Sequence, residues 1–240
     1  AGVRVSLHPA GHVLGSAQVR MEGPDGTVVV VSGDYKRAAD PTCAPFELTP
    51  CDIFVTEATF ALPVFRHPAA EDEVARALAV LAGNPDRCLL VGAYALGKAQ
   101  RVIAMLRAPI YLHGALEKLT ALYGSHGVAL GDVRPAAGVP ADALRGHVVV
   151  APPSALADRW SRRLPDPITA FASGWMRVRA RARQNGAELP LVISDHADWD
   201  ALTATIRELR PREVWVTHGR EDALVHWCGL HQIPARALHL

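Results

Sequence analysis

The chain has 240 residues, with 25 Lys and Arg against 24 Asp and Glu, and a formal net charge of +1. It is 50% hydrophobic and 20% charged, which excludes disorder as its main state, because that much apolar side chain can offset chain entropy. The near-neutral balance excludes a global polycation, so any contact with nucleic acid needs a local patch; no apolar run approaches the roughly 18–20 residues of a membrane span.

Residues 3–8 and 17–22 alternate apolar and polar, the period of half-buried strands. Gly23-Pro24-Asp25-Gly26 is a turn cluster, and residues 27–32 and 52–57 read as fully buried strands. Residues 69–82 predict a helix with acids in its first turn, where the dipole favours them. A strand at 88–93, a helix at 96–108, a strand at 110–114 and a helix at 115–124 follow. This β-α-β-α alternation implies parallel pairing with right-handed crossovers. Gly131 to Pro140 reads as a surface loop, and residues 147–153 and 168–173 as strands. An Arg-rich segment comes after Gly174. The chain then predicts a strand at 190–196, a helix at 199–209, a strand at 213–219 and a helix at 221–229.

Cys43, Cys51, Cys88 and Cys228 form no C-x-x-C pair, so they read as free thiols of a reducing compartment. With no basic n-region and no signal-type apolar stretch at the start, the expected location is cytoplasmic.

Polar residues stand where buried strands stop. His12 lies in the Gly-bracketed turn 10–16, Asp34 follows residues 27–33, Glu57 closes the strand at 52–57, His196 the one at 190–196, and His218 the one at 213–219. Each alone has a structural alternative: a turn histidine, a cap, a surface acid. Together, imidazoles and carboxylates at adjacent strand ends form a ligand set for zinc or a similar ion, and suit two metals bridged by a carboxylate. His8, His67, His113, His126, His147, His226, His231 and His239 show no such constellation and read as surface or core residues.

The strings AGHVLGSAQV (10–19), SGDYK (32–36), TEATF (56–60), SDHAD (194–198) and THG (217–219) occur in the order and context found in the β-CASP branch of the metallo-β-lactamase superfamily, a group of nucleases that the whole chain resembles. The longer strings at 56–68, 174–176 and 194–199 look closest to bacterial ligase-associated DNA exonucleases. The resemblance implies an α/β protein: a metallo-β-lactamase αββα sandwich, formed by residues 1–62 and a C-terminal stretch 189–240, with an inserted β-CASP α/β domain at 63–188. It implies His12 as a ligand of one metal, Asp34 as the carboxylate bridging both, and His218 as a ligand of the second. It implies Glu57 as an acid orienting a bound group, and His196 as the general acid that protonates the leaving oxygen. The cofactor implied is zinc, two ions in a complete chain, with manganese able to substitute. The implied substrate is DNA, cleaved from an end in repair, with association to DNA ligase and helicase and no membrane contact. An RNase J-like RNA substrate is the alternative.

The family's H-x-H-x-D-H metal run appears nowhere in the 240 residues. The expectation is therefore an N-terminally incomplete copy whose three ligands alone bind metal poorly and hydrolyse little, with a non-catalytic nucleic-acid-binding module as the reading of a complete chain. Lys36, Lys98, Arg177 and Arg179 are the expected substrate contacts. Gly92 to Ala99 nearly spells a phosphate-binding P-loop, but Ala99 stands where a Mg²⁺-holding hydroxyl is needed. Arg177, Arg179, Arg181 and Arg183 alternate, with Arg159, Arg162 and Arg163 nearby in sequence; they read either as a solvated face or as a phosphate track.

Overall fold

The computed structural model describes residues 2–106, 109–184 and 186–238. The end of the helix expected at 96–108 and His239 lie outside the described residues. The chain divides into two compact units, Ala1–Arg66 with Asp195–Leu240, and His67–Ser194.

The first unit holds a six-stranded sheet, in the order β1 (Arg4–Pro9), β2 (Ala17–Glu22), β3 (Val28–Val31), β4 (Ile53–Ala58), β11 (Glu213–Gly219), β12 (Ala235–Ala237). β1 to β3 form an antiparallel meander, and β3, β4, β11 and β12 are parallel. The β2–β3 turn is the expected one: Gly23 N–H donates to Thr27 O, and the Asp25 carboxylate accepts from the Thr27 N–H. Two helices serve this sheet, α5 (Trp199–Leu209) and α6 (Glu221–Leu230). Asp198 caps α5 by accepting from the Ala201 N–H at 2.9 Å, and Trp199, Leu202 and Ile206 at helical spacing bury against Val30, Phe54, Val214 and Val216. β1 departs from its half-buried expectation. Val5 and Leu7 share one face and are 60% and 69% exposed, while Ser6 and His8 on the other face are half-buried.

The second unit is a wholly parallel sheet in the order β10 (Leu189–Leu191), β9 (Ile168–Ala172), β5 (Leu89–Gly92), β8 (Val148–Ala151), β6 (Ile110–Leu112), β7 (Val133–Pro135). The strands β5, β8 and β6 are continuous apolar runs because they bury both faces. Helices α1 (Ala70–Ala82), α2 (Lys98–Leu106) and α3 (Gly114–Ser125) occupy the expected places. In α1, Ala70, Val74, Ala77 and Leu81 are the buried stripe. β7 lies inside the segment expected to be a loop; as an edge strand it tolerates Pro135.

The strand expected at 190–196 is shorter and belongs elsewhere. Only Leu189–Leu191 pairs, with β9, so this stretch lies in the second unit rather than with the C-terminal stretch of the first. Ile193 is buried in the core without a ladder. Its carbonyl accepts from Lys98 Nζ at 3.2 Å, that of Ser194 accepts from Arg101, and the Val192 N–H donates to Glu73. Side chains replace the hydrogen bonds that a sheet supplies, so an apolar run looks like a strand without being one.

The P-loop-like stretch also has a structural use. Lys98 opens α2 but is 5% exposed, and Gln100 caps the turn by accepting from the Gly97 N–H. The Arg-rich segment becomes a short 3-10 turn, Gly174–Arg177, and α4 (Arg179–Gln184). Residues two apart on a helix point to different faces, so the arginines do not form one stripe. Arg181 stacks at 4.3 Å on Trp175, while Phe171 and Met176 are core. Arg177, Arg179, Arg181 and Arg183 are exposed.

No helix among the described residues is long and apolar enough to cross a membrane. The four cysteines are free, as expected. Burial pushes the thiols of Cys88 and Cys228 up to about 11, and that of Cys51 to about 12. At pH 8 each is about one thousandth thiolate or less. Iodoacetamide at pH 8 is therefore expected to leave Cys51, Cys88 and Cys228 unmodified in the folded chain and to alkylate all three in guanidinium, as peptide mass mapping would show. The folded thiols hold their protons above the unfolded value, so their contribution to stability falls as pH rises past about 8.5.

Candidate metal centre

The sheet topology brings the candidate residues to one edge. β1 is antiparallel to β2 and β2 to β3, so β1 runs with β3, β4 and β11. All four strands end at the same edge. His12 follows β1, Asp34 follows β3, Glu57 is near the end of β4, and His218 near the end of β11. Side chains at the carboxyl ends of parallel strands face a shared crevice.

His12 rides on a tight loop. The hydroxyl of Ser16 accepts from the N–H groups of His12 and Val13, both at 3.1 Å, and the Ala10 N–H donates to Ser16 O. Gly11 has φ +71°, and a Cβ there would lie 2.3 Å from the carbonyl oxygen of Lys36. Only glycine lets this loop lie against the segment after Asp34. The ring is oriented by a backbone group: Nδ1 lies 2.9 Å from the Asp195 carbonyl oxygen. A carbonyl only accepts, so Nδ1 carries the proton and the lone pair of the neutral ring is on Nε2. That nitrogen lies 3.9 Å from Asp34 Oδ2.

His196 is not at a strand end. It sits in the turn between β10 and α5, just ahead of the Asp198 cap. Its Nδ1 is 3.0 Å from Glu57 Oε2 and 3.9 Å from Asp34 Oδ1. Glu57 is 2% exposed and accepts from the Tyr35 N–H at 2.8 Å, while the Ala197 N–H donates to Tyr35 O. One buried carboxylate thus ties β4, the Asp34–Tyr35 segment and the His196 turn together. The edge of Phe60 supports the His196 ring, with centroids 6.0 Å apart. Burial pushes the Tyr35 phenol well above its ordinary range and keeps it neutral.

The donor atoms that converge are those of His12, Asp34 and His196, one from each residue, all within 4.8 Å of one another. The two imidazole centroids are 4.8 Å apart. Nitrogen and oxygen donors in this arrangement fit zinc or manganese, and both imidazoles show the acceptor at Nδ1 that holds metal-binding histidines in one tautomer. His218 is not in this trio. It is exposed and lines a cavity of roughly 310 Å³ together with Asp34, Glu57, Ser32 and Thr217. Its backbone is left-handed, φ +63°, at an irregularity in the β4–β11 ladder between Thr217 and Gly219. A Cβ at Gly219 would lie 2.1 Å from the Ala58 carbonyl oxygen, so the two strand ends touch there. A non-glycine residue in this conformation costs roughly 1–3 kcal/mol, held by the surrounding ladder.

Two expected substrate contacts face inward. Lys36 is 2% exposed and pairs with Asp40, and Lys98 is spent on the Ile193 carbonyl. Neither presents its ammonium to solvent, because each is the partner of a buried oxygen. Arg177 and Arg179 are exposed, in the other unit. Three participants carried no sequence signal. The Tyr35 N–H and the Asp195 carbonyl are backbone groups that any residue supplies, and Asp40 reads as an ordinary loop acid.

Two substitutions test this construction. Gly11→Ala is expected to lower stability in urea by about 1–3 kcal/mol, from the positive φ and the contact with Lys36. Glu57→Gln replaces the acceptor facing His196 Nδ1 with an amide. It is expected to cost about 1–3 kcal/mol and to move the His196 proton toward Nε2 in long-range ¹⁵N–¹H spectra. An unchanged tautomer would remove Glu57 from the orientation of His196.

No profile of a known protein family matches the chain. A protein called a probable DNA ligase, from Opitutus terrae, is 30% identical over 90% of this chain and 21% of its own length. Cleavage and polyadenylation specificity factor 73 of Drosophila melanogaster is 25% identical over 93% of this chain and 40% of its own length. Transcription termination factor FttA of Methanosarcina mazei is 29% identical over 52% of this chain and 22% of its own length. The chain therefore spans 21–40% of the length of these relatives. A solved structure of a protein of unknown function from Enterococcus faecalis V583 shares the fold, with a TM-score of 0.67 at 14% identity over 100% of this chain and 63% of that one. With its ordered motifs and these relatives, the chain is similar to the β-CASP family of the metallo-β-lactamase superfamily.

Proposed function

We propose that this chain carries a portion of the active centre of a metal-dependent nuclease that hydrolyses DNA phosphodiester bonds, as an exonuclease in DNA repair. The observation that carries the proposal is the convergence of His12, Asp34 and His196 within 4.8 Å, with the buried Glu57 behind His196. Core packing has no use for two imidazoles and a half-exposed carboxylate at one strand edge.

In this reading His12 and Asp34 would hold a divalent ion, zinc or manganese, and His218, which lines the same cavity as Asp34, would serve a second. Bound there, such ions activate water and take up charge on a phosphoryl oxygen. Glu57 fixes the ring of His196 and stabilises its protonated form, which suits His196 to donate a proton to the leaving oxygen. The same backing by a carboxylate also suits a metal ligand. The exposed Arg177 and Arg179 are proposed to contact backbone phosphates, a term that weakens with salt.

DNA is favoured over RNA on identity: the relative named for a DNA ligase is 30% identical over 90% of the chain, whereas cleavage and polyadenylation specificity factor 73 is 25% identical over 93%. Association with DNA ligase and helicase follows only within this proposal.

Calorimetry with zinc, paired with cleavage of matched single-stranded DNA and RNA, tests the roles. His12→Ala and Asp34→Asn are expected to weaken zinc binding at least tenfold. His196→Ala in the full-length protein is expected to keep zinc affinity and slow cleavage by roughly 10² to 10⁴. Loss of zinc binding in that variant would make His196 a ligand instead of the acid. Faster cleavage of RNA would move the substrate to the alternative class.

A further inference from the structure

Lys36 and Asp40 form an ion pair with side chains 2% and 4% exposed, 2.5 Å apart. Taking two charges out of water costs several kcal/mol per ion, and an apolar pair of similar volume is often as stable. Such a pair calls for a reason beyond stability. Its surroundings supply one, because Lys36 also grips the His12 loop at three points. Its N–H donates to Ala10 O at 3.1 Å, and its carbonyl oxygen lies where a side chain on Gly11 would be. Its Nζ is 3.5 Å from the His12 carbonyl oxygen. Asp40 holds the ammonium in place and is itself fixed, its Oδ1 accepting from the Thr42 N–H at 2.8 Å and from Thr42 Oγ1 at 2.6 Å.

We propose that the buried Lys36–Asp40 pair is a positioning device for His12, a cation set under the His12 backbone carbonyl that holds the imidazole in register with Asp34. The pair acts through the loop and touches no substrate. Lys36 belongs to the same short segment as Asp34, so one peptide carries a candidate ligand and, two residues on, the clamp for its neighbour. That geometry keeps the distance between His12 and Asp34 from drifting. An apolar pair would fill the same space but could not grip a carbonyl. The link to metal binding rests on the function proposed above; the clamp itself does not.

The test uses the full chain and the variants Lys36→Met and Lys36→Met/Asp40→Asn. The double variant removes both charges while the asparagine Oδ1 still caps Thr42, so it is expected to fold even if the single variant, with an uncompensated buried carboxylate, does not. Two readouts are taken: the long-range ¹⁵N–¹H pattern of His12 in metal-free protein, and zinc affinity by calorimetry. The expected result is a folded double variant whose His12 loses its Nδ1-protonated pattern and whose zinc affinity falls about 10–100-fold, the range typical for removing an orienting partner. An unchanged His12 pattern in a folded double variant would overturn the clamp. A lost pattern in a chain whose parent binds no zinc would sustain the clamp and sink the metal reading instead.

Discussion

A carboxylate cannot stay buried unless its oxygens are satisfied, and Glu57 meets that demand with groups from two distant stretches of chain. The Tyr35 N–H and His196 Nδ1 converge on it, which sets the segment after β3 and the turn before α5 at fixed distances from the end of β4. Asp34 is carried by the first and His196 by the second. The proximity of these two groups follows from the desolvation cost of one acid. Were Glu57 exposed, water would serve it as well, and neither segment would be held.

The other half of the cluster is held by a different device. His12 belongs to a loop closed by Ser16, flattened against the Lys36 carbonyl at Gly11, and aimed by the Asp195 carbonyl. Asp195 and His196 are neighbours in sequence, so a single turn presents a backbone acceptor to one imidazole and carries the other. The Asp195 carbonyl thereby holds the His12 proton on Nδ1, while Glu57 faces Nδ1 of His196. Rings held in this way have little reorganisation left to do.

The second unit shows how a motif can be misleading while its residues stay useful. Gly92 to Ala99 has the strand-loop-helix context of a phosphate loop, yet its lysine is buried on a backbone carbonyl. Lys98 and Arg101 together satisfy Ile193 and Ser194, the two residues that lead into Asp195 and His196. A cation that reads as a phosphate contact is, in the fold, the partner of a stretch of chain that leaves its sheet early.

The amino-acid sequence by itself determined the parallel βα alternation, most of the helices, and the candidate residues: His12, Asp34, Glu57, His196 and His218 stand out because polar groups follow apolar runs. Those are local signals of period and burial, and they survive without knowledge of any partner. Only the tertiary structure decided which of the five approach. His196 came to Asp34 from a turn instead of a strand, because buried side chains took over the hydrogen bonds of residues 192–194. His218 stayed at the cavity wall on a left-handed backbone. Lys36 turned inward, where its ammonium meets the Asp40 carboxylate and the His12 carbonyl. Orientation depends on which backbone N–H and C=O groups are left unpaired when the sheet closes, and those groups are the same in every residue, so no sequence pattern records them.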